Sequence, residues 1–247
     1  MSLRGPRSKK VVFFDLFRGR RRRNSLSCAL AILSLASAIL IPSLGSSQEN
    51  RVLALAREME AVLDTLNDYT CEVENVYFAE GVEIERYRFK FYFKKEDHIR
   101  VDFSQPYPSL TVFYRNGDKD VTVKPIGFLP GLKFRLSIDN PLIRTPSGQR
   151  ITQTHMGYFL RFVLRNLHRI DQGKEEIHDN GEEITFLLMA LDYVSEKNIE
   201  MYRITLSKRL KLPVRIERYT QEGKLLETTH IRDYRLNGSL DLRLFLP

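Results

Sequence analysis

Residues 86–95 read RYRFKFYFKK. Tyr87, Phe89, Phe91 and Phe93 alternate with Arg86, Arg88, Lys90, Tyr92 and Lys94. A period of two belongs to a β-strand with two unlike faces. One face carries four rings and must be covered; the other is mostly cationic and can meet water. Such a strand needs an apolar partner layer on one side only, which is the condition of an antiparallel sheet rather than a parallel one.

The neighbouring segments keep that period. Val73–Phe78 precedes the strand, with a turn at Glu80-Gly81. HIRVDF at 98–103 follows, with Ile99, Val101 and Phe103 on one face. LTVFYRNGDKDVTV is two β-rich runs around Asn116-Gly117, the strongest short hairpin signal. Residues 125–150 break the rhythm with Pro125, Pro130, Pro141 and Pro146 and with Gly127, Gly131 and Gly148. They read as a long irregular crossing segment that carries Phe128, Leu129, Leu132, Phe134, Leu136, Leu142 and Ile143. Loops of that length are usually functional.

Two helices flank the strands. In 49–67, Val52, Leu55, Ala56, Met59, Val62, Leu63 and Leu66 form one apolar stripe at helical spacing. From His155 to Leu167, Met156, Phe159, Leu160, Val163 and Leu167 form another. ITFLLMAL at 184–191 is apolar on both faces and reads as a central strand. MYRITLSK at 201–208 and the hairpin KLPVRIERYTQEGKLL at 211–226 follow, with Val214 and Ile216 placed on one face of the hairpin. The tail LDLRLFLP reads as an edge-packing piece. Runs of strands with two interspersed helices argue for an α+β fold.

The first 47 residues read differently. Arg20–Arg23 end a basic stretch, an apolar run extends from Leu26 to Ile41, and Ser43, Gly45, Ser46 and Ser47 close it. A basic region, an apolar region of roughly 7–15 residues and small residues at the end compose a signal peptide. The run falls short of the ~20 residues a spanning helix needs. Cleavage after Gly45 or Ser47 is one expectation; an uncleaved anchor, the chain's sole membrane contact, is the other. Cys28 sits near the start of the apolar run rather than at its end, against a lipoprotein. The protein is therefore expected to be exported, periplasmic or beyond, with one domain over 48–247.

The charge belongs to this leader. The chain has 39 Lys+Arg and 31 Asp+Glu, of which residues 1–47 hold nine and one. That leaves 30 of each in residues 48–247, so nothing favours a nucleic-acid partner. A monomer is expected.

No catalytic signature stands out. G-x-S-x-G and phosphate-loop patterns are missing, and the five histidines are scattered without H-x-x-x-H spacing. Acidic pairs such as Glu72-Glu74 and Glu175-Glu176 fall on solvent faces or loops, where a solvated role is the default. No catalytic residue, metal or cofactor is expected. Cys71, alone in 48–247, reads as a small buried apolar side chain.

LNDYT at 66–70, LSIDNPLI at 136–143 with GQRIT at 148–152, LPVRIERY at 212–219 with EGKLLE at 222–227, and YRLNGSLDLRLFLP at 234–247 resemble, in order and spacing, a LolA-like domain of exported bacterial proteins. The resemblance implies a strongly curved antiparallel sheet, an unclosed half-barrel whose concave face is covered by the two helices. In the lipoprotein carriers of that fold, the concave face holds acyl chains. This chain lacks Trp, and no single position matches the carriers' lid arginine. The expected ligand-binding cavity is lined by Tyr87, Phe89, Phe91, Phe93, Val101, Phe103, Phe159, Val163, Val214 and Ile216, with a lipid or lipidated protein as partner. The competing readings are a densely packed core behind the rings, or an envelope interaction module that uses the cationic row.

Overall fold

The computed structural model describes residues 44–125, 131–169, 177–192, 194 and 196–247. The leader reading, apart from its last few residues, and Phe128 and Leu129 of the crossing segment lie outside them. The elements are α1 (Leu44–Thr65), β1 (Asp68–Ala79), β2 (Val82–Lys94), β3 (His98–Gln105), β4 (Thr111–Tyr114), β5 (Asp120–Lys124), β6 (Phe134–Ser137), α2 (Met156–Asn166), β7 (His178–Asp179), β8 (Glu183–Leu191), β9 (Ile199–Ser207), β10 (Pro213–Tyr219) and β11 (Leu225–Leu236).

All eleven strands form one sheet in the order β6-β5-β4-β3-β2-β1-β11-β10-β9-β8-β7. Every pairing is antiparallel. The outer strands β6 and β7 do not pair with one another, so the sheet is an open half-barrel. Register shifts at Thr70/Glu72, Tyr77/Phe78, Arg88/Phe89, Pro213/Arg215 and Arg218/Tyr219 mark bulges or irregularities. Bulges bend a strand and add twist, which is how so wide a sheet curls around its contents.

Both helices lie in the hollow. Val52, Ala56 and Met59 of α1 and Phe159, Leu160, Phe162 and Val163 of α2 share one buried cluster with Cys71, Phe91, Leu188, Tyr202 and Ile204 of the sheet. Phe162 meets the Tyr202 ring edge-on at 4.9 Å. Tyr69, 1 % exposed, accepts the first backbone N–H of α2 at Met156, 3.1 Å away. That N–H has no partner within its own helix.

Three expectations change. The crossing segment is not wholly irregular: β6 pairs with β5 from Asp120↔Ser137 to Val123↔Phe134, and short 3₁₀ turns follow at Pro141–Ile143 and Ile151–Gln153. β8 is not central; only the two-residue β7 lies outside it. Its burial alternates, with Phe186, Leu188 and Ala190 buried, so its continuous apolar run does not signal two covered faces. The tail is not along an edge. It lies on the outer face of β2 and β3, where Lys94 Nζ donates to the Leu240 carbonyl at 2.9 Å and Arg100 Nη1 to the Leu244 carbonyl at 3.1 Å. Phe245 is wholly buried there, edge-on to His98.

Tyr69→Phe removes the acceptor of a buried N–H and keeps the ring. Urea unfolding should show a loss of about 1–3 kcal/mol, the cost of an unsatisfied buried donor; unchanged stability would mean that the Tyr69–Met156 hydrogen bond does not hold α2.

Candidate functional site

Two helices cannot cover eleven strands. They leave part of the hollow uncovered, under the inner faces of β2–β5 and under Asn75 and Tyr77 of β1, Ile216 and Arg218 of β10 and Glu227 and Thr229 of β11. There a cavity of about 520 Å³ remains, within the ~300–1,000 Å³ of small-molecule sites. Phe89, Phe91, Val101, Phe103, Val112 and Val123 form its strand wall, and Phe159 of α2 reaches one side. The crossing segment covers it through Leu136, Leu142, Ile143, Arg144 and Thr145, with Gln149, Ile151 and Gln153 beyond.

Local chemistry shapes this cover. Asn140 Oδ1 caps the turn at Pro141–Ile143 by accepting from Leu142 N at 3.0 Å. Asp139 Oδ1 meets Arg150 at 2.5 Å and Arg144 at 3.4 Å. The pieces LSIDNPLI and GQRIT thus tie to one another over the cavity.

Seven of the ten sequence-selected residues stand in the cavity wall: Tyr87, Phe89, Phe91, Val101, Phe103, Phe159 and Ile216. Three stand elsewhere. Phe93 stacks between Tyr69 at 5.1 Å and His155 at 5.3 Å. Val163 is buried in the helix–sheet core. Val214 does not stay beside Ile216, because the register shifts between Pro213 and Arg215; it lines a separate groove with Arg215, His230 and Arg232.

Sequence reasoning missed the polar part of the wall: Asn75, Tyr77, Arg218, Glu227 and Thr229. The signal was present. If Ile216 faces inward, so does Arg218 two residues on, and Glu227, Thr229 and Ile231 share one face of β11. Arg218 Nε lies 3.3 Å from Glu227 Oε2, and its Nη1 lies 3.4 Å from Glu200. Burial opposes the Arg218 charge, yet Glu227 and Glu200 hold its pKa above the ordinary value. Burial pushes the Glu227 carboxyl up, against the pull of Arg218. Cys71 also lines the cavity; burial drives its thiol up to about 12, which keeps it protonated and unreactive.

The opposite face of the sheet is internally paired. Glu74 meets Arg86, Arg88 at 3.0 Å and Arg232 at 3.6 Å. Lys94 lies 3.8 Å from Asp68, and Lys90 sits over the Tyr92 ring. Among the described residues, no group of three or more His, Cys, Asp or Glu side chains is arranged to hold a metal, and no helix is long and apolar enough to cross a membrane.

No family model and no curated protein matches the chain. Solved structures do. A LolA superfamily protein from Nitrosomonas europaea is similar at 13% identity and TM-score 0.37, over 79% of this chain and 97% of that one. A DUF1329 family protein from Desulfovibrio piger is similar at 17% identity and TM-score 0.41, over 79% and 96%. The lipoprotein LppX of Mycobacterium tuberculosis is similar at 10% identity and TM-score 0.43, over 78% and 98%. The resemblance to LolA-like domains drawn from the sequence thus has its counterpart among solved structures. At these identities and TM-scores, no ligand, partner or activity passes from them to this chain.

His155 supplies a test of the helix-side packing. It is 5 % exposed, and burial lowers its pKa below 6.5, against Asp97 at 3.9 Å, which raises it, and with Arg161, which lowers it further. A depressed folded-state pKa means that the unfolded chain binds the proton first. Stability is then lost as pH falls through about 6.5 toward the lower folded value. His155→Gln should therefore lose less stability than wild type between pH 7.5 and about 5, measured by urea midpoints. Parallel pH curves would show that the His155 environment is not the source.

Proposed function

We propose that this is an exported, non-enzymatic binding or carrier protein that holds an apolar or lipidated ligand in its half-barrel cavity. The observation that carries the reading is the cavity itself: a mainly aromatic and aliphatic wall on rigid strands, under a cover that is a crossing segment rather than a helix. A dense core would have brought those rings against helix side chains. Leaving such space unfilled forgoes dispersion contacts and costs stability, so it favours a purpose. The polar side chains that reach the wall are engaged largely with one another, as Arg218 is with Glu227 and Glu200, which favours binding over acid–base chemistry. The cationic row of β2 is spent on internal pairs, which makes the interaction-module reading the weaker one. Export rests on the leader, and membrane contact would come only through that leader if it is retained.

Native mass spectrometry and solvent extraction of the purified protein should reveal a bound lipid-like species or uptake of an apolar dye. Phe103→Glu places a charge in the wall and should weaken dye binding by at least about tenfold, or 1.4 kcal/mol. A protein that carries no lipid and takes up no dye would end this reading.

A further inference from the structure

We propose that the cavity selects single-tail amphiphiles whose head group donates hydrogen bonds, an amine or a hydroxyl, and rejects anionic heads. This rests on the reading of the cavity as a binding site and names the ligand class it takes.

The inner face of the sheet has an apolar end and a polar end, and strand register fixes where they are. Tyr77 stands opposite Glu227 across β1 and β11, Glu227 opposite Arg218 across β11 and β10, and Arg218 opposite Tyr202 across β10 and β9. One row of polar side chains therefore crosses four strands. Along β2, Phe89 and Phe91 lie farther from this row and form the apolar end. A ligand lying along the wall would meet both.

The row is rich in acceptors. Two carboxylates share one guanidinium: Glu227 at 3.3 Å from Arg218 Nε, and Glu200 at 3.4 Å from its Nη1. Arg218 is thus flanked by two carboxylates, although its buried Nε makes no hydrogen bond of its own. Glu200 also accepts from Tyr202 at 2.8 Å. Asn75 gives its Nδ2 to Tyr77 Oη at 3.2 Å and leaves its Oδ1 without a partner, although the residue is only 8 % exposed. A buried unpaired acceptor costs stability unless something donates to it. Arg144, on the cover, gives its Nη2 to Asp139, while its buried Nε has no hydrogen-bond partner. A carboxylate or phosphate head seated on the row would face Glu227 at close range in a low-dielectric hollow; an ammonium or hydroxyl there would donate to Glu227 and Asn75.

The test titrates the dye-loaded, purified full-length chain with dodecylamine, dodecanol and dodecanoate, each below its micelle concentration. The amine and the alcohol should displace the dye at concentrations at least about tenfold below the dodecanoate, a 1.4 kcal/mol preference. Glu227→Gln should bring the amine down to the alcohol. Equal or better displacement by dodecanoate overturns the proposal, and wild type alone decides that if the variant does not fold. Dye uptake with no displacement by any of the three removes the head-group site and leaves an apolar binding site standing. Absence of dye uptake removes the binding reading itself.

Discussion

β1 is hydrogen-bonded along both edges, to β2 and to β11, and the second pairing joins the start of the domain to its end. Tyr69 stands opposite Leu236 and Tyr77 opposite Glu227. Without it, the sheet would be two separate meanders, β1–β6 and β7–β11, each with a bare edge. Closing so long a loop costs chain entropy, and a polar knot at the end of the β1–β11 ladder offsets it. Asn67 N donates to Asn237 Oδ1 at 2.7 Å, and Asn237 returns its Nδ2 to the Thr65 carbonyl at 3.2 Å. Asp68, 1 % exposed, accepts Asn237 N on its carbonyl and Leu240 N on its carboxylate. The sequence pieces LNDYT and YRLNGSLD meet here, so their role is to join the two halves.

That junction determines where the hollow can be filled. With β1 and β11 in the middle, the two helices pack against the junction and the β8–β10 side, because the α2 N-terminus is fixed by Tyr69 of β1. The β2–β5 side is left to the crossing segment. A segment with prolines and short 3₁₀ turns cannot present a continuous apolar stripe as a helix does, and it bridges the hollow without filling it. The cavity is thus a consequence of topology combined with a cover of the wrong shape to pack densely. The same cover sits on few regular hydrogen bonds, the condition for low local stability.

The legibility of the sequence followed from how local each feature is. The β2 alternation is set within ten residues, and its rings fell where period two placed them, with Phe93 diverted to the Tyr69–His155 stack. Val214 leaves the side of the sheet that Ile216 faces, because a register shift obeys pairing with the neighbouring strand rather than the strand's own pattern. β8 misled through its apolar run: Leu187 and Met189 are only partly covered, and a near-edge position depends on strand order, which no single segment encodes. The tail's seat on β2 and β3 needed Arg100 and Lys94 to find carbonyls more than a hundred residues away. The polar row was hidden for the same reason. Arg218, Glu227 and Tyr77 become one feature only when β1, from the other end of the domain, pairs with the β10–β11 hairpin.

The two faces of the sheet handle charge in opposite ways. Outside, Glu74 gathers Arg86, Arg88 and Arg232 from both flanking strands; burial raises its pKa, but the hydrogen bonds from Arg88 and Arg86 outweigh that and leave it lowered. There cations outnumber the carboxylate, and water screens the excess. Inside, carboxylates outnumber the guanidinium, and burial denies that screening. A buried ion pair is seldom worth more than the apolar groups that could replace it, so Arg218, Glu200 and Glu227 are a poor choice for stability alone. At one end of an apolar hollow, they make the two ends of the cavity chemically different.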